Sequence, residues 1–309
     1  MKKRRVLLFA NPAAGKRRGE RLLVEAGQRL RKAGLLVITV LTKHVGHAGE
    51  LALENARTHD LIAALGGDGT VNEVADGILT AAPENPPVLA TIPVGTGNDA
   101  AQAFGMNGFD LAVDALACGT TMRIDVLRLQ YQCGKGRAVR HALLFAAIGF
   151  AAEIIRKTTP SIKRLFGPRY CYSIGFFRAL LGFRAPEFRV KWSDGETSGS
   201  MFQVCAGNTE FAGGGVMRLS PGARPDDGLL NISLVSTMGR LEIVRQFPRV
   251  LSGAYVEDER VEYFTGTSLE IEAQPAAEIQ VDGDIIGTTP VTIDLMPRAL
   301  ELVTPKSFR

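Results

Sequence analysis

Cysteine is scarce in this sequence. The four residues, Cys118, Cys133, Cys171 and Cys205, lie far apart, with no CxxC spacing among them. That argues against a disulfide framework and a cysteine-based zinc site, and leaves reduced thiols in a cytosolic protein as the expectation. Long apolar runs are missing as well: no window approaches the ~18 uninterrupted apolar residues of a membrane-spanning helix. The basic start "MKKRRVLLFANPAAGKRR" holds an apolar stretch, Val6 to Ala10, that is too short for a signal peptide before it meets Asn11-Pro12. His44, His47, His59 and His141 form no metal or catalytic pattern. There is neither a repeat of solenoid period nor a low-complexity tract.

What is present is ordinary in bulk. A length of 309 residues suggests two domains, and 46% hydrophobic against 22% charged residues allows a sizeable core. The net charge of +4 and a pI near 8.9 favour anionic partners without choosing among nucleotides, nucleic acid and acidic membranes.

Strand-like and helical patterns alternate over the first third. "RVLLFA", "LLVITVL", "LIAAL" and "VLATIPV" read as strands; Lys16 to Ala33, "HAGELALENART" and Thr70 to Ala81 read as helices. The alternation predicts an α/β nucleotide-binding domain over 1–122, with a parallel sheet and helices on both faces. From residue 122 the texture changes. "MRIDVLRLQYQ" alternates like an exposed-edge strand, and later segments resemble antiparallel strands joined by Gly and Asp turns, interrupted by helices at Tyr170 to Gly182 and Arg240 to Leu251. The expectation for 123–309 is a mostly antiparallel β-rich domain, its last ~15 residues packing back on the first, with the active cleft between the two.

Three loops should leave strands at their carboxyl ends, where open α/β sheets bind ligands: "NPAAGK", "GGDGTVNE" and "PVGTGND". Glycine lets a phosphate approach the backbone, and a helix opening next adds unsatisfied N–H groups. One such loop could be a capped turn; three in series favour phosphate binding. "ANPAAGKRR" fails as a P-loop, with Ala10 where glycine is needed and Arg17 where Ser or Thr is needed. "GTGNDA" satisfies G-x-G-x-x-[GA] but follows the fourth strand, without the strand-end acid of a dinucleotide site.

"GGDGTVNEVADGI" followed by "IPVGTGNDAAQAFG" resembles the catalytic domain of the diacylglycerol kinase family, which includes bacterial lipid kinases and sphingosine kinases. "NPAAGK", "GNTEFAGGGVMRLSPGARPDDGLLNI" and "VDGD" follow the family's order and extend the resemblance over nearly the whole chain. The resemblance implies an ATP- and Mg²⁺-dependent lipid kinase. Asn11, Pro12, Gly15, Thr42, Gly66, Gly67, Asp68, Gly69, Thr70, Asn72, Glu73 and Thr96 would line the ATP site. Asp68 would hold the Mg²⁺ shell, with Asp125 a second carboxylate of that network or an ordinary polar residue on a strand edge. A structural Mg²⁺ would take the Asp227 side chain and the Arg224 and Leu229 carbonyls, where spacing alone gives a β-turn. Asp284 stands where related kinases usually carry Glu as the base that deprotonates the lipid hydroxyl. Its side chain is shorter by one C–C bond, about 1.5 Å.

Between Arg156 and Lys191 nine Lys or Arg face one acid, Glu187, interleaved with Phe166, Tyr170, Tyr172, Phe176, Phe177 and Phe183. This mixture suits an anionic membrane surface; single-stranded nucleic acid or a core helix with a basic polar face would account for it too, and a kinase whose substrate stays in a bilayer tips the reading toward the membrane. The expectations are a lipid substrate in the membrane, peripheral contact with the inner membrane face, a cytoplasmic location, no nucleic acid, and a homodimer as an open option. The alternatives are an NAD kinase sharing GGDGT, a nucleotide-binding regulatory protein that has lost catalysis, and a dinucleotide oxidoreductase.

Overall fold

The computed structural model describes residues 4–12, 14, 18–95, 97–134, 136–158 and 174–308. The chain divides into two compact units: Met1–Val126 together with Met296–Arg309, and Leu127–Leu295. The division falls at 126 rather than 122 because β5 (Thr121–Cys133) begins within the first unit.

The first unit alternates β1 (Arg5–Ala10), α1 (Gly19–Lys32), β2 (Leu36–Leu41), α2 (His47–Asn55), β3 (Leu61–Gly66), α3 (Asp68–Ala81) and β4 (Val88–Pro93). The short α4 (Asp99–Ala103) and α5 (Phe109–Cys118) follow. β1 pairs parallel with β2 and β3, and β3 with β4. β1 and β3 are unbroken apolar runs because both of their faces are covered. Val6, Leu8 and Ala10 pack in one cluster with Leu22, Leu23, Ala26 and Leu30 of α1 and with α5. Leu7 and Phe9, whose side chains alternate to the other face, are buried too. Helices α2 and α3 approach so closely that a Cβ on Gly77 would lie 2.4 Å from the Gly49 carbonyl oxygen. Helix α1 begins at Gly19, whereas the pattern suggested Lys16; Lys16 and Arg17 lie outside the described residues.

The second unit takes the rest of β5, then β6 (Gly136–Ala142), β7 (Phe145–Gly149), α6 (Phe150–Lys157), the helix α7 over residues 174–182, β8 (Glu187–Trp192) and β9 (Gly195–Gly207). The short pair β10 (Phe211–Ala212) and β11 (Met217–Arg218) precedes β12 (Leu230–Ser236), α8 (Arg240–Ser252) and a 3₁₀ turn, Ala254–Glu257. β13 (Val261–Gly266), β14 (Ser268–Gln274), β15 (Glu278–Val281) and β16 (Asp284–Val303) complete the chain's strands in order.

The antiparallel order is β13-β12-β9-β7-β15-β16, and β14 links β16 to β8, which returns to β9. Leu129, Phe188, Val190, Val204, Ile232, Leu269, Ile279 and Ile293 belong to one core cluster, and Phe150, Phe176, Ala179, Leu180 and Ile243 to another. β5 is not the exposed edge its alternation suggested: it pairs with β16 and β6, and Ile124, Val126 and Leu127 are fully buried.

At its far end β16 rejoins the first unit, where Leu302 pairs parallel with Leu89 of β4. Thr120 and Thr304 are joined there by the Thr304 N–H donating to the Thr120 carbonyl at 3.1 Å and the Thr120 hydroxyl donating to the Thr304 carbonyl at 2.6 Å.

Candidate active site

Parallel pairing sends the carboxyl ends of β2, β1, β3 and β4 to one edge, so the segments that follow them are neighbours. The Asn11 N–H donates to the Leu65 carbonyl at 3.3 Å, the Thr42 N–H to the Ala10 carbonyl at 2.9 Å, and the Val94 N–H to the Gly66 carbonyl at 3.1 Å. Residues 11–12 cross the start of α1 so tightly that a Cβ on Gly19 would sit 2.2 Å from the Asn11 oxygen.

The Gly66–Glu73 turn and the loop at 95–100 touch directly. A Cβ on Gly95 would lie 2.8 Å from Gly67 Cα. Asn98, at φ 58°, locks that loop from within: its Oδ1 accepts the Gly95 N–H at 3.0 Å, and its Nδ2 donates to the Gly95 carbonyl at 2.9 Å. Asparagine tolerates this left-handed backbone better than most residues. The Asp68 Oδ1 accepts the Ala100 N–H at 3.0 Å, and Glu73 Oε1 accepts the Gly46 N–H at 2.8 Å. Asp68 and Glu73 therefore tie the GGDGT turn to the loops after β4 and β2.

Burial holds the Asp68 carboxyl above the usual carboxylate range, against the opposing pull of the Ala100 N–H. A cation at this carboxylate would offset the cost of burying its charge, so Asp68 fits a Mg²⁺ shell. Helix α3 begins at Asp68 with Gly67 as N-cap and no side-chain hydrogen bond to that cap. A Cβ on Gly69 would meet nothing within 4 Å. That open space above a helix N-terminus suits a phosphate.

Other expected residues are placed differently. Thr70 and Asn72 are buried, at 8% and 2% exposure, so within this turn the backbone of Gly67–Gly69 and the acids, rather than these two side chains, are the outward groups. Asp125 is fully buried and its Oδ1 accepts the Arg298 N–H at 2.7 Å, which corrects the reading of it as a polar strand-edge residue. Gly15 and Thr96 lie outside the described residues, as do Phe166, Tyr170 and Tyr172 of the basic, aromatic stretch.

In the second unit Asp227 Oδ1 accepts the Leu229 N–H at 3.0 Å, an Asx-type turn, and Asp226 approaches Arg224 at 3.4 Å. Asp284 is exposed and opens β16, opposite Val281 across a two-residue turn, Asp282-Gly283.

Sequence reasoning missed two groupings. Asp282 accepts three backbone N–H groups, from Leu143, Leu144 and Phe145; nothing in an Asp-Gly turn signal could have located those donors. His44, His47 and Glu50 bring possible ligand atoms within 4.8 Å of one another. However, His47 Nδ1 accepts the Lys43 N–H at 3.0 Å, so its Nε2 carries the proton in the neutral ring. Metal binding there would cost that bond.

An α/β unit with glycine-rich loops at its strand ends is thus followed by an antiparallel β unit. The chain matches the diacylglycerol kinase catalytic domain over residues 5–129, and the YegS C-terminal NAD kinase beta sandwich-like domain over 146–304. The diacylglycerol kinase of Staphylococcus epidermidis is 29% identical over 310 residues, covering 99% of this chain and 93% of the relative. That of Bacillus subtilis is 27% identical, covering 98% and 97%. A putative diacylglycerol kinase from Bacillus anthracis superposes with a TM-score of 0.81 at 26% identity, over 100% of both chains. Yeast NADH kinase shares the fold at a TM-score of 0.52 and 12% identity, covering 98% of this chain and 84% of that one. The chain belongs to the diacylglycerol kinase catalytic-domain family, with a YegS-type C-terminal domain, and is a lipid kinase.

Proposed function

We propose that this kinase transfers the γ-phosphate of ATP to a hydroxyl of a diacylglycerol-like membrane lipid. The observation that carries this reading is the tie of the GGDGT turn to the loops after β4 and β2 through Asp68 and Glu73, with open space at Gly69, in a chain whose relatives bear the name diacylglycerol kinase. The backbone of Gly67–Gly69 and the amino end of α3 receive the phosphates, with Asn11, Pro12, Gly15, Thr42, Gly66, Thr70, Asn72, Glu73 and Thr96 shaping the surroundings. Phosphoryl transfer depends on positioning and charge neutralisation. Mg²⁺ would supply the neutralisation at Asp68, with Asp125 supporting from its buried position. Asp284 accepts the proton of the lipid hydroxyl. The turn at Arg224, Asp227 and Leu229 provides only oxygen ligands, as a hard structural cation needs. The distant likeness to an NADH kinase does not favour soluble NAD as acceptor.

The test is transfer of labelled γ-phosphate, with Mg²⁺, into mixed micelles carrying diacylglycerol, other hydroxyl lipids or none, beside an NAD control. Label in diacylglycerol is the expected result; label in NAD alone would overturn the lipid acceptor.

The partner is an anionic membrane surface. Two exposed apolar stripes support this. On α7, Phe177 and Leu181 are 55% and 72% exposed; on α8, Leu241, Val244 and Leu251 are 66%, 36% and 37% exposed. The helices adjoin, since the Phe176 and Phe247 rings lie 5.2 Å apart. Arg178, Arg184, Arg240 and Arg245 flank the stripes with exposed positions. Apolar side chains ringed by guanidinium groups suit the interface of an acidic bilayer. Leu181→Glu and Leu241→Glu should each weaken sedimentation with phosphatidylglycerol vesicles by ~10-fold or more, since a buried leucine is worth about 1.5–3 kcal/mol. ATP binding should be spared. Unchanged sedimentation would remove this surface from the proposal.

A further inference from the structure

The turn that carries Asp284 is held by more than its own geometry. Asp282 and Gly283 both have positive φ, 47° and 98°, as a two-residue hairpin turn requires. Asparagine meets that requirement as well as aspartate does. The turn alone does not call for a carboxylate.

Yet the Asp282 carboxylate is 6% exposed and ringed by donors. Oδ2 accepts the Leu143 N–H at 2.8 Å; Oδ1 accepts the N–H groups of Leu144 at 3.1 Å and Phe145 at 2.9 Å. The Asp282 N–H returns a bond to the Phe145 carbonyl at 3.2 Å. These contacts extend the β7–β15 ladder, whose last pair is Val281 with Ala146, by one residue into the turn. Charge-assisted bonds to backbone N–H groups are about twice as strong as neutral ones, and burying the carboxylate without them would be costly.

Two of these three residues, Leu143 and Leu144, are also held by Asn208. Asn208 is fully buried; its Nδ2 donates to the Leu143 carbonyl at 2.9 Å and its N–H to the Leu144 carbonyl at 2.7 Å. Segment 143–145 is thus a splint between the start of the loop at 208 and the turn at 282.

We propose that Asp282 is a positioning residue for the base: by binding the backbone N–H groups of Leu143, Leu144 and Phe145 it fixes the turn that aims Asp284. The proposal rests on the reading of Asp284 as the base. It also answers the shortness of that side chain. An aspartate base has about 1.5 Å less reach than glutamate, so it depends more on where the backbone puts it. A misplacement of ~1 Å costs about 10²-fold in rate.

Asp282→Asn is the discriminating change, because it keeps the turn's backbone preference and the side chain's size. Its NH₂ group must take the place of one oxygen; with Oδ1 kept in place it meets the Leu143 N–H donor to donor. The experiment measures kcat on lipid, KM for ATP and thermal unfolding in four proteins: wild type, Asp282→Asn, Asp284→Asn and the double variant. Asp282→Asn should lower kcat by on the order of 10²-fold with KM for ATP within about twofold. Added to Asp284→Asn it should cost less than about threefold, since a residue acting through another loses its effect when the other is gone.

Equal losses in both backgrounds would overturn the proposal, as would an Asp282→Asn enzyme with wild-type kcat. Wild-type turnover by Asp284→Asn alone would overturn the base assignment, and this inference with it, without reference to Asp282. Should Asp282→Asn fail to fold, Asp282→Glu enters the same cycle, since it keeps a carboxylate for the three donors while shifting the turn.

Discussion

Asp284→Asn should lower lipid phosphorylation by about 10²–10⁴-fold in kcat and leave ATP affinity within about twofold of wild type. Asparagine fills the same space but has no basic oxygen able to take the hydroxyl proton in the transition state. The loss corresponds to roughly 2.7–5.4 kcal/mol of transition-state stabilisation, at 1.36 kcal/mol per tenfold. Little of it should appear as instability, because Asp284 is exposed at the first position of β16. Rate and fold are therefore separable by measuring turnover, nucleotide binding and unfolding temperature on one preparation. Near-normal turnover would mean that another group takes the proton.

The second large effect is expected at Gly69. Alanine there meets no atom within 4 Å, and Gly69 stands in the first turn of α3. On propensity alone the change stabilises the helix by up to about 1 kcal/mol. If a phosphate lies against the backbone at this point, the added methyl group occupies its place. Gly69→Ala should then weaken ATP binding by about tenfold or more while unfolding temperature holds or rises. That opposition of signs separates a ligand contact from a folding role. Gly95 could not serve the same purpose, because a Cβ there would lie 2.8 Å from Gly67 Cα and disturb the loops themselves. Unchanged ATP affinity in Gly69→Ala, by titration calorimetry, would place the phosphates away from this turn.

How much of this was legible in the sequence depended on whether the signal was local. β1, β3 and the GGDGT turn combine continuous apolar runs with glycines at the strand end, and each is set by residues adjacent in the chain. Asn98 was visible only as part of "GTGND"; its bracket around Gly95 spans three residues and follows from its αL backbone. Asp125 and Asp282 were different. Both sit in segments whose alternation or turn signal assigns the backbone correctly enough, yet the carboxylates bind N–H groups 173 and about 137–139 positions away. No spacing rule reaches that far. β5 misled for a related reason: alternation reports one covered face, and pairing with β16 and β6 covers more of the strand than its own pattern reveals.

The return of Met296–Arg309 to the first unit bears on how the protein is made. During synthesis the strands β1–β4 emerge first, but β4 cannot receive its parallel neighbour, nor Asp125 the Arg298 N–H, until those residues have left the ribosome. A nascent chain halted within the second unit therefore carries a first unit with an open sheet edge at β4 and with Asp125 lacking that bond. An unpaired edge of that kind invites pairing with other chains, so the last segment of β16 is what closes the sheet of the first unit at β4.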